Sequence, residues 1–502
     1  MREVALRGLC RFGGRLFVTL AGRVYDRSIV FSPIMAPVNS RFTTAWPWVA
    51  ATMGIIVAAT ALRFGLNFAT TYPPARDAAY YPMQTMYWFS HGRFMYDDLP
   101  LMFWMNIAMT KIVLWSGRPL KAAALLASRI LDCILEPWTA APIMAAGFCW
   151  SKGQKRALFG AISASVLVVV SEPVLRMLSN FQKNSLGLVW MACSVWACRS
   201  AMLRSTRLRW LLLAVPFLLA ALTHIGGFGV TAMSVGLAIV TWGWLQRQYK
   251  LPLMMGGFMA ILFLLLYVFD EHRAVSILRA PVDIFSAGQL VSIPLPELLI
   301  EILIIAFAIL RLRKDRSVLN AADISTITAL IAVSVFLAVP KAGELSGRLA
   351  SMAVVPIAFL VTFVTARRAV TNASLLPEFL LLITLLVFSP PPVEAIQRPF
   401  MNEEAAAELR QFRNQLDAPD SALVVAPHGL EWWAGYFLDT PVRTQKPNSP
   451  FTHYQRVLLL RNTAAFPLTG MPGNNRPEPI DPLARRLFAG RFIEVYESPN
   501  DK

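Results

Sequence analysis

The chain has 502 residues, 56% of them hydrophobic and 15% charged, with a mean hydropathy of +0.51. An ordinary soluble enzyme carries about a quarter charged residues, so this composition excludes one. The formal net charge of +17 suggests nucleic acid at first sight, but Lys and Arg stand in short clusters between apolar runs, as expected of cytoplasmic loops in a membrane protein.

Residues 1–45 are basic, with Arg2, Arg7, Arg11, Arg15, Arg23 and Arg27 interleaved with Leu6, Leu9, Phe12, Leu16 and Phe17. No small-residue cleavage site follows a clean apolar core, which argues for an amphipathic helix on the cytoplasmic leaflet and against a signal peptide. The N-terminus is then inside. Apolar runs follow at 46–66, 122–149, 157–175, 186–203, 209–226, 228–245, 251–269, 295–311, 324–340, 348–366 and 374–390. With their flanks they approach the ~20 residues a helix needs to cross a bilayer, and continuous runs favour helices over a barrel.

In that register the basic clusters fall inside: Arg199, Arg204, Arg207 and Arg209; Arg247 and Lys250; Arg311, Arg313, Lys314 and Arg316; Arg367 and Arg368. Loops 67–121, 172–185, 270–294 and 341–347 fall outside, with everything after 390. The segment 99–115 is apolar but short, and contains Asn106 and Lys111. Either it lies shallow as a juxtamembrane helix, or the run 122–149 breaks at Glu136-Pro137 and crosses twice. Each half of the broken run would be well under ~17 residues, which favours the shallow helix.

The expected architecture is an all-α polytopic membrane bundle of about 11–13 transmembrane helices over 46–398, followed by a small α/β extracytoplasmic domain over 399–502. In that domain 402–416 predicts a helix, with Glu403 and Glu404 near its start and Arg410 and Arg413 near its end, matching the helix dipole. Residues 422–426 and 456–460 predict short buried strands, and 492–496 alternates as an edge strand does. Stretches rich in Pro, Gly and Asn at 446–450 and 467–482 separate them. Trp432-Trp433 would pack the domain or touch the membrane interface. The five cysteines (Cys10, Cys133, Cys149, Cys193 and Cys198) include no CxxC pair, so they imply packing, not a disulfide framework or a zinc site.

Asp77 leads the candidate residues, in Pro73-Pro74-Ala75-Arg76-Asp77-Ala78-Ala79-Tyr80-Tyr81 just outside the first crossing. A carboxylate at the bilayer interface can accept a proton from an acceptor hydroxyl while a lipid-linked leaving group lies alongside. The plain alternative is a solvated loop acid paired with Arg76. Glu172, at the outer end of a crossing, shares that face; charged groups near membrane depth are costly and usually functional, though a capping role would also explain it. Asp97 and Asp98 before Pro100 fit a helix cap. Lys341 and Arg348 flank Gly343-Glu344 outside, and Arg273 and Arg279 follow Asp270-Glu271-His272. Such external cations suit a phosphate or pyrophosphate, and equally suit ion pairs with the neighbouring acids. His224 sits near the outer end of a crossing, as a ligand or as hydrogen-bonded packing. Arg129 and Asp132, three apart on one helix, are expected to satisfy each other. No P-loop, GxSxG, HExxH or Rossmann pattern is present, so ATPase, serine hydrolase and metalloprotease readings lose their main support; no cofactor is certain, and a divalent metal stays open.

The order Asp77-Ala78-Ala79-Tyr80-Tyr81, Pro100-Leu101-Met102-Phe103-Trp104, Ala127-Ser128-Arg129-Ile130-Leu131, Leu222-Thr223-His224 and Arg348-Leu349-Ala350-Ser351-Met352 resembles the GT-C superfamily of integral-membrane glycosyltransferases, in the branch of protein mannosyltransferases and lipid A aminoarabinose transferases. The resemblance covers most of 46–390. Two departures exist: Arg76-Asp77 stands where two adjacent acids are common, and no Lys-Pro precedes the first loop's aromatic segment. The resemblance implies an inverting transfer of a sugar from a polyprenyl-phosphate donor to an acceptor hydroxyl on a glycan, lipid or protein, at the outer face of a bacterial inner membrane. It implies Asp77 as general base, Glu172 positioning acceptor or sugar, Arg348 and Lys341 at the leaving phosphate, and Tyr80, Tyr81 and His224 at the substrate. A lipid or sugar flippase would want midplane ionisable groups and repeated halves, and no second copy of any segment is detected. A non-catalytic assembly subunit would be indifferent to Asp77.

Overall fold

In the computed structural model the described residues are 38–269, 295–339, 351–370, 400–444, 454–463 and 480–498, with positions 271, 274–275, 290–291, 341–342 and 349 between them. Continuous apolar sequence can satisfy its backbone in lipid only as helix, and the runs fold accordingly. Helix α1 spans Val38–Asn67, α2 Tyr80–His91, α3 Leu101–Leu114, α4 Leu120–Ile134, α5 Ala140–Trp150 and α6 Lys155–Val170. A single turn, α7 (Glu172–Leu175), precedes α8 (Gln182–Leu203), α9 (Arg207–Thr223), α10 (Ile225–Gln246) and α11 (Lys250–Phe269). Then come α12 (Leu295–Asp315), α13 (Ala321–Ala338) and α14 (Val354–Val370). The crossing expected at 374–390 lies outside the described residues.

Among the described residues five helices are long and apolar enough to cross a bilayer: Ala45–Asn67, Lys155–Leu175, Gln182–Leu203, Ile225–Gln246 and Ala321–Ala338. Only 28% of the first is buried, so α1 lies at the perimeter and turns Val49, Met53 and Val57 outward, as a lipid-facing helix must. Inside, α6 packs on α14, α8 on α9 and α10, and α10 on α13. Close approach of α6 and α14 depends on Gly160, where a Cβ would strike the Thr365 side chain.

Helix α8 serves as a ruler between two polar layers. Near its start Lys183 meets Asp98; near its end Arg199 meets Asp323 at 2.6 Å. Sixteen residues at 1.5 Å each separate the two pairs by about 24 Å. The far layer also holds Asp315 between Arg311 (3.0 Å) and Arg367 (2.7 Å), and Asp323 accepts the Trp150 indole N–H at 2.8 Å. Arg199, Arg311 and Arg367 are therefore buried, paired members of their basic clusters, not loose loop charges.

The segment 120–150 runs from the near layer to the far one, since Lys121 reaches the soluble domain and Trp150 reaches Asp323. It bends at a 3-10 turn, Glu136–Thr139, whose second residue is Pro137. Helix α3 behaves differently. The residue three before it, Asp98, bonds Tyr80, and the chain after it returns to Lys121 at the soluble domain. With 14 residues it extends about 21 Å, and it lies along α4.

The soluble domain has α15 (Glu403–Asn414), α16 (Leu430–Leu438) and a five-stranded sheet ordered β4-β3-β5-β7-β6, formed by β3 (Ala422–Val425), β4 (Val442–Arg443), β5 (Arg456–Asn462), β6 (Arg485–Ala489) and β7 (Ile493–Glu497). Strands β3, β4 and β5 are parallel; β7 is antiparallel to both β5 and β6. Two further short strands pair antiparallel in the membrane part, β1 (Leu290–Val291) and β2 (Lys341–Ala342). Asn402 caps α15 by accepting the Ala405 N–H at 2.7 Å. The alternating stretch 492–496 is an interior strand, not an edge, because β6 covers its other side. Its alternation records one face packed on the core, which an interior antiparallel strand shows as readily. The domain's core is continuous with the first loop: Tyr72, Ala78, Ala79, Met83 and Met86 pack with Trp433, Phe437 and Leu430.

Candidate active site

Asp77 is the second residue of the 3-10 turn Arg76–Ala79 that leads into α2. Its backbone N–H donates to Asn180 Oδ1 at 3.4 Å, and its side chain is 17% exposed. Facing it from the soluble domain is His428, whose Nε2 lies 3.7 Å from Asp77 Oδ1. On the other side of the same ring, Nδ1 lies 2.8 Å from Oε1 of the fully buried Glu431. A carboxylate, an imidazole and a second carboxylate thus stand in line across the junction between loop and domain. The hydrogen bond to Glu431 raises the His428 pKa above its ordinary value; burial opposes this, Asp77 adds to it, and Arg76 works against it. Burial pushes Glu431 upward, partly offset by His428.

The turn between His428 and α16 needs Gly429, which adopts φ +94° and lies so close to the Arg76 side chain that a Cβ would collide with it. That contact seats the loop directly on the start of α16.

Tyr80 and Tyr81 form the floor beside Asp77. Tyr80 packs on Trp432 (4.7 Å between ring centres), Phe103 and Tyr81, and its hydroxyl donates to Asp98 at 2.8 Å. Tyr81 is buried, and its oxygen accepts the Lys183 N–H at 3.2 Å. The Lys183 ammonium binds Asp98 and lies over the Tyr80 and Phe103 rings. Burial alone would raise the Asp98 pKa, but Lys183's charge and the hydrogen bonds it and Tyr80 donate outweigh that and hold the carboxyl below its usual range. Trp432 also meets Tyr96 at 5.3 Å, and the Tyr96 hydroxyl donates to the Val442 carbonyl. The tryptophan pair packs the domain: Trp432 clamps the loop, and Trp433 is wholly buried. Trp432→Ala is expected to loosen that clamp by on the order of 1–3 kcal/mol, from two aromatic pairs at about 0.5–1.5 kcal/mol each. Faster amide exchange across α2 and α16, with the far layer unchanged, would register it.

Beneath the site, Arg129 does not pair with Asp132 as their spacing suggests. Its guanidinium donates to the carbonyls of Asn67, Thr70 (2.8 Å) and Thr71 (2.7 Å) and stacks on Phe68. A cation at the C-terminal end of α1 is favoured by that helix's unsatisfied carbonyls, and this outcompetes a neighbour on its own helix. Asp132 turns instead to Arg63 and to the Ser179 N–H at 2.5 Å.

Glu172 pairs with Arg176 one turn on, in the segment that later supplies Asn180. His224 caps α10, with Nδ1 accepting the Gly227 N–H at 3.1 Å. Lys341 lies in β2, its backbone in register with Val291. Arg348, Arg273, Arg279 and Glu344 lie outside the described residues. Cys133 and Cys198 are buried and Cys193 half-buried, as packing residues would be, whereas Cys149 is exposed. Among the described residues no group of three or more His, Cys, Asp or Glu is arranged to hold a metal ion. His428 and Glu431 escape a reading of the sequence by motif. Their one local signal is Pro427-His428-Gly429 between a strand and a helix, with an acid three residues on.

No protein-family model and no curated protein sequence matches the chain. Its fold, however, is similar to the crystal structure of ArnT from Cupriavidus metallidurans bound to undecaprenyl phosphate, with a TM-score of 0.55. The match covers 90% of this chain and 98% of that one, at 13% sequence identity. The chain has the GT-C fold. The match takes in the membrane bundle and the soluble domain together, since so little of either protein is left over.

Proposed function

We propose that the protein is a membrane glycosyltransferase that moves a sugar from a polyprenyl-phosphate donor to an acceptor hydroxyl, with Asp77 as the general base. The observation that carries this reading is the Asp77 carboxylate: mostly buried, anchored through its backbone by Asn180, and held where the first loop, the membrane bundle and the soluble domain meet. The fold shared with an undecaprenyl-phosphate-bound protein supports the donor class.

The acceptor oxygen attacks the anomeric carbon and its proton passes to Asp77. The bond from that carbon to the phosphate oxygen breaks, and its electron pair leaves with the polyprenyl phosphate. Attack opposite the leaving group inverts the anomeric centre. A carboxylate is ordinarily ionised at neutral pH, so Asp77 needs no further activation to take a proton that becomes acidic only in the transition state. Arg348, with Lys341, is assigned to the charge developing on the phosphate, because fixed cations act where charge appears. Glu172 is assigned to positioning of acceptor or sugar. Tyr80 and Tyr81 give the carboxylate a rigid wall, and His224 orders the start of α10 on the same side. The reaction face is read as extracytoplasmic, and the membrane as a bacterial inner membrane.

Undecaprenyl phosphate added to the purified protein in detergent should raise its thermal midpoint. A ligand at 100 times its Kd stabilises the state it binds by about 2.7 kcal/mol. Incubation with undecaprenyl phosphate carrying mannose, glucose, galactose or aminoarabinose should release undecaprenyl phosphate from one of them. A midpoint that responds no more to the lipid than to inorganic phosphate, with no donor consumed, would overturn the proposal.

A further inference from the structure

We propose that His428, delivered by the soluble domain and braced by Glu431, is a positioning residue that fixes the Asp77 carboxylate in its reactive, ionised form. This rests on Asp77 acting as the base in the transfer described above.

The geometry admits few alternatives. Glu431 has a fully buried side chain; its Oε1 meets His428, and its Oε2 has no hydrogen-bond partner among the described residues. A buried carboxylate with one polar partner is costly unless that partner is a cation or a strong donor. His428 supplies both when protonated, donating from Nδ1 to Glu431 and turning the Nε2–H toward Asp77 Oδ1 at 3.7 Å. The ring is 41% exposed, so protons exchange with solvent and the imidazolium is not trapped. Trp432 stands edge-on to it at 6.2 Å, limiting how the ring can swing. Among the described residues, the charged groups facing His428 are Asp77 and Arg76 from the loop and Glu431 from the first turn of α16. Two anions outweigh one cation, so the site favours the protonated ring.

An opposite charge within about 4–6 Å lowers a carboxyl pKa by roughly 1–3 units. The imidazolium therefore keeps Asp77 ionised into more acidic solution than a lone loop aspartate would tolerate. It also ties the base to a domain more than 300 residues later in the chain, since Asp77 and His428 differ by 351 positions. Docking of the soluble domain then widens, toward acid, the pH range over which the base is competent.

The test is a pH–rate profile of kcat/KM, using whichever sugar-linked undecaprenyl phosphate the wild-type protein consumes. His428→Ala should move the acid limb upward by about 1 pH unit and lower the plateau, with the KM for donor unchanged. His428→Lys, which restores a cation, should bring the acid limb back toward the wild-type position. Glu431→Gln removes the anion that favours the protonated ring, so its profile should shift in the same sense as His428→Ala. A purely structural His428 would lower the amount of active protein and leave the acid limb where it was; that result overturns the inference. If the wild type consumes a donor and Asp77→Asn abolishes it while His428→Ala overlays the wild-type profile, the base assignment stands and this inference alone falls. If no donor is consumed, or Asp77→Asn keeps full activity, the transferase reading falls first and this one with it.

Discussion

Replacing Asp77 by Asn is expected to cut sugar transfer by about 100- to 10,000-fold while the protein stays folded. Asn keeps the size of the side chain and the backbone N–H that donates to Asn180, so the loop should hold its place on α16. What it loses is the ability to accept a proton. The loss should fall on kcat, since an interaction absent from the ground state does not alter donor binding. In free energy the expected loss is about 3–5 kcal/mol at the barrier, each tenfold being 1.36 kcal/mol. The measurement is release of undecaprenyl phosphate from a sugar-linked donor in proteoliposomes, with undecaprenyl phosphate binding as the control for folding. A flippase would keep translocating lipid with Asn at this position, and an assembly subunit would be indifferent to the change. Turnover within threefold of wild type removes Asp77 from the chemistry.

Asp77 was visible because several local signals coincide: an acid just beyond an apolar run, in a Pro-rich loop, beside two tyrosines. The helix at Glu403–Asn414 and the strands at Ala422–Val425 and Arg456–Asn462 were visible for the same reason, since capping charges and apolar period are local. Partners are not local. Arg63 bonds residues 69 and 73 positions away, and no spacing rule in the sequence connects them. Arg129 shows how a spacing rule can mislead. Its neighbour three residues on is within reach, yet the carbonyl end of another helix makes a better site for the cation. His428 combines both difficulties: a single imidazole in the short turn between an apolar strand and an apolar helix carries no periodicity, and its meaning comes from a loop that the chain left long before. The lone charge of Arg63 inside an apolar run is a signal in itself, because an unpaired guanidinium there would be prohibitive.

That charge leads to the second large effect. Arg63, Asp132 and Glu136 each have side chains wholly shielded from solvent. The guanidinium lies 3.3 Å from Glu136 Oε2 and 3.6 Å from Asp132 Oδ1, and its Nε donates to the Asp132 carbonyl at 3.1 Å. One cation thus serves two carboxylates. Asn67 Nδ2 donates to Asp132 at 3.4 Å, and the Ser179 hydroxyl donates to Asn67 Oδ1 at 3.1 Å, so the network links α1, α4 and the segment before α8. Ser179 is the neighbour of Asn180, which accepts the Asp77 N–H. The ionic cluster is therefore the footing of the Asp77 loop as well as a join between helices. Removing one partner of a buried ion pair typically costs about 3–5 kcal/mol, because the other charge is left without compensation. Arg63→Ala leaves the Asp132 and Glu136 carboxyls without their cation, against a net stability of about 5–15 kcal/mol for a typical fold. The variant is expected to lose most of its folded, monodisperse fraction in detergent. Arg63→Met combined with Asp132→Asn and Glu136→Gln removes all three charges and should recover much of the loss, which a packing defect alone would not do. If Arg63→Ala matches the wild-type thermal midpoint, the cluster contributes nothing to stability, and the Asp77 loop must be held by its contacts with the soluble domain alone.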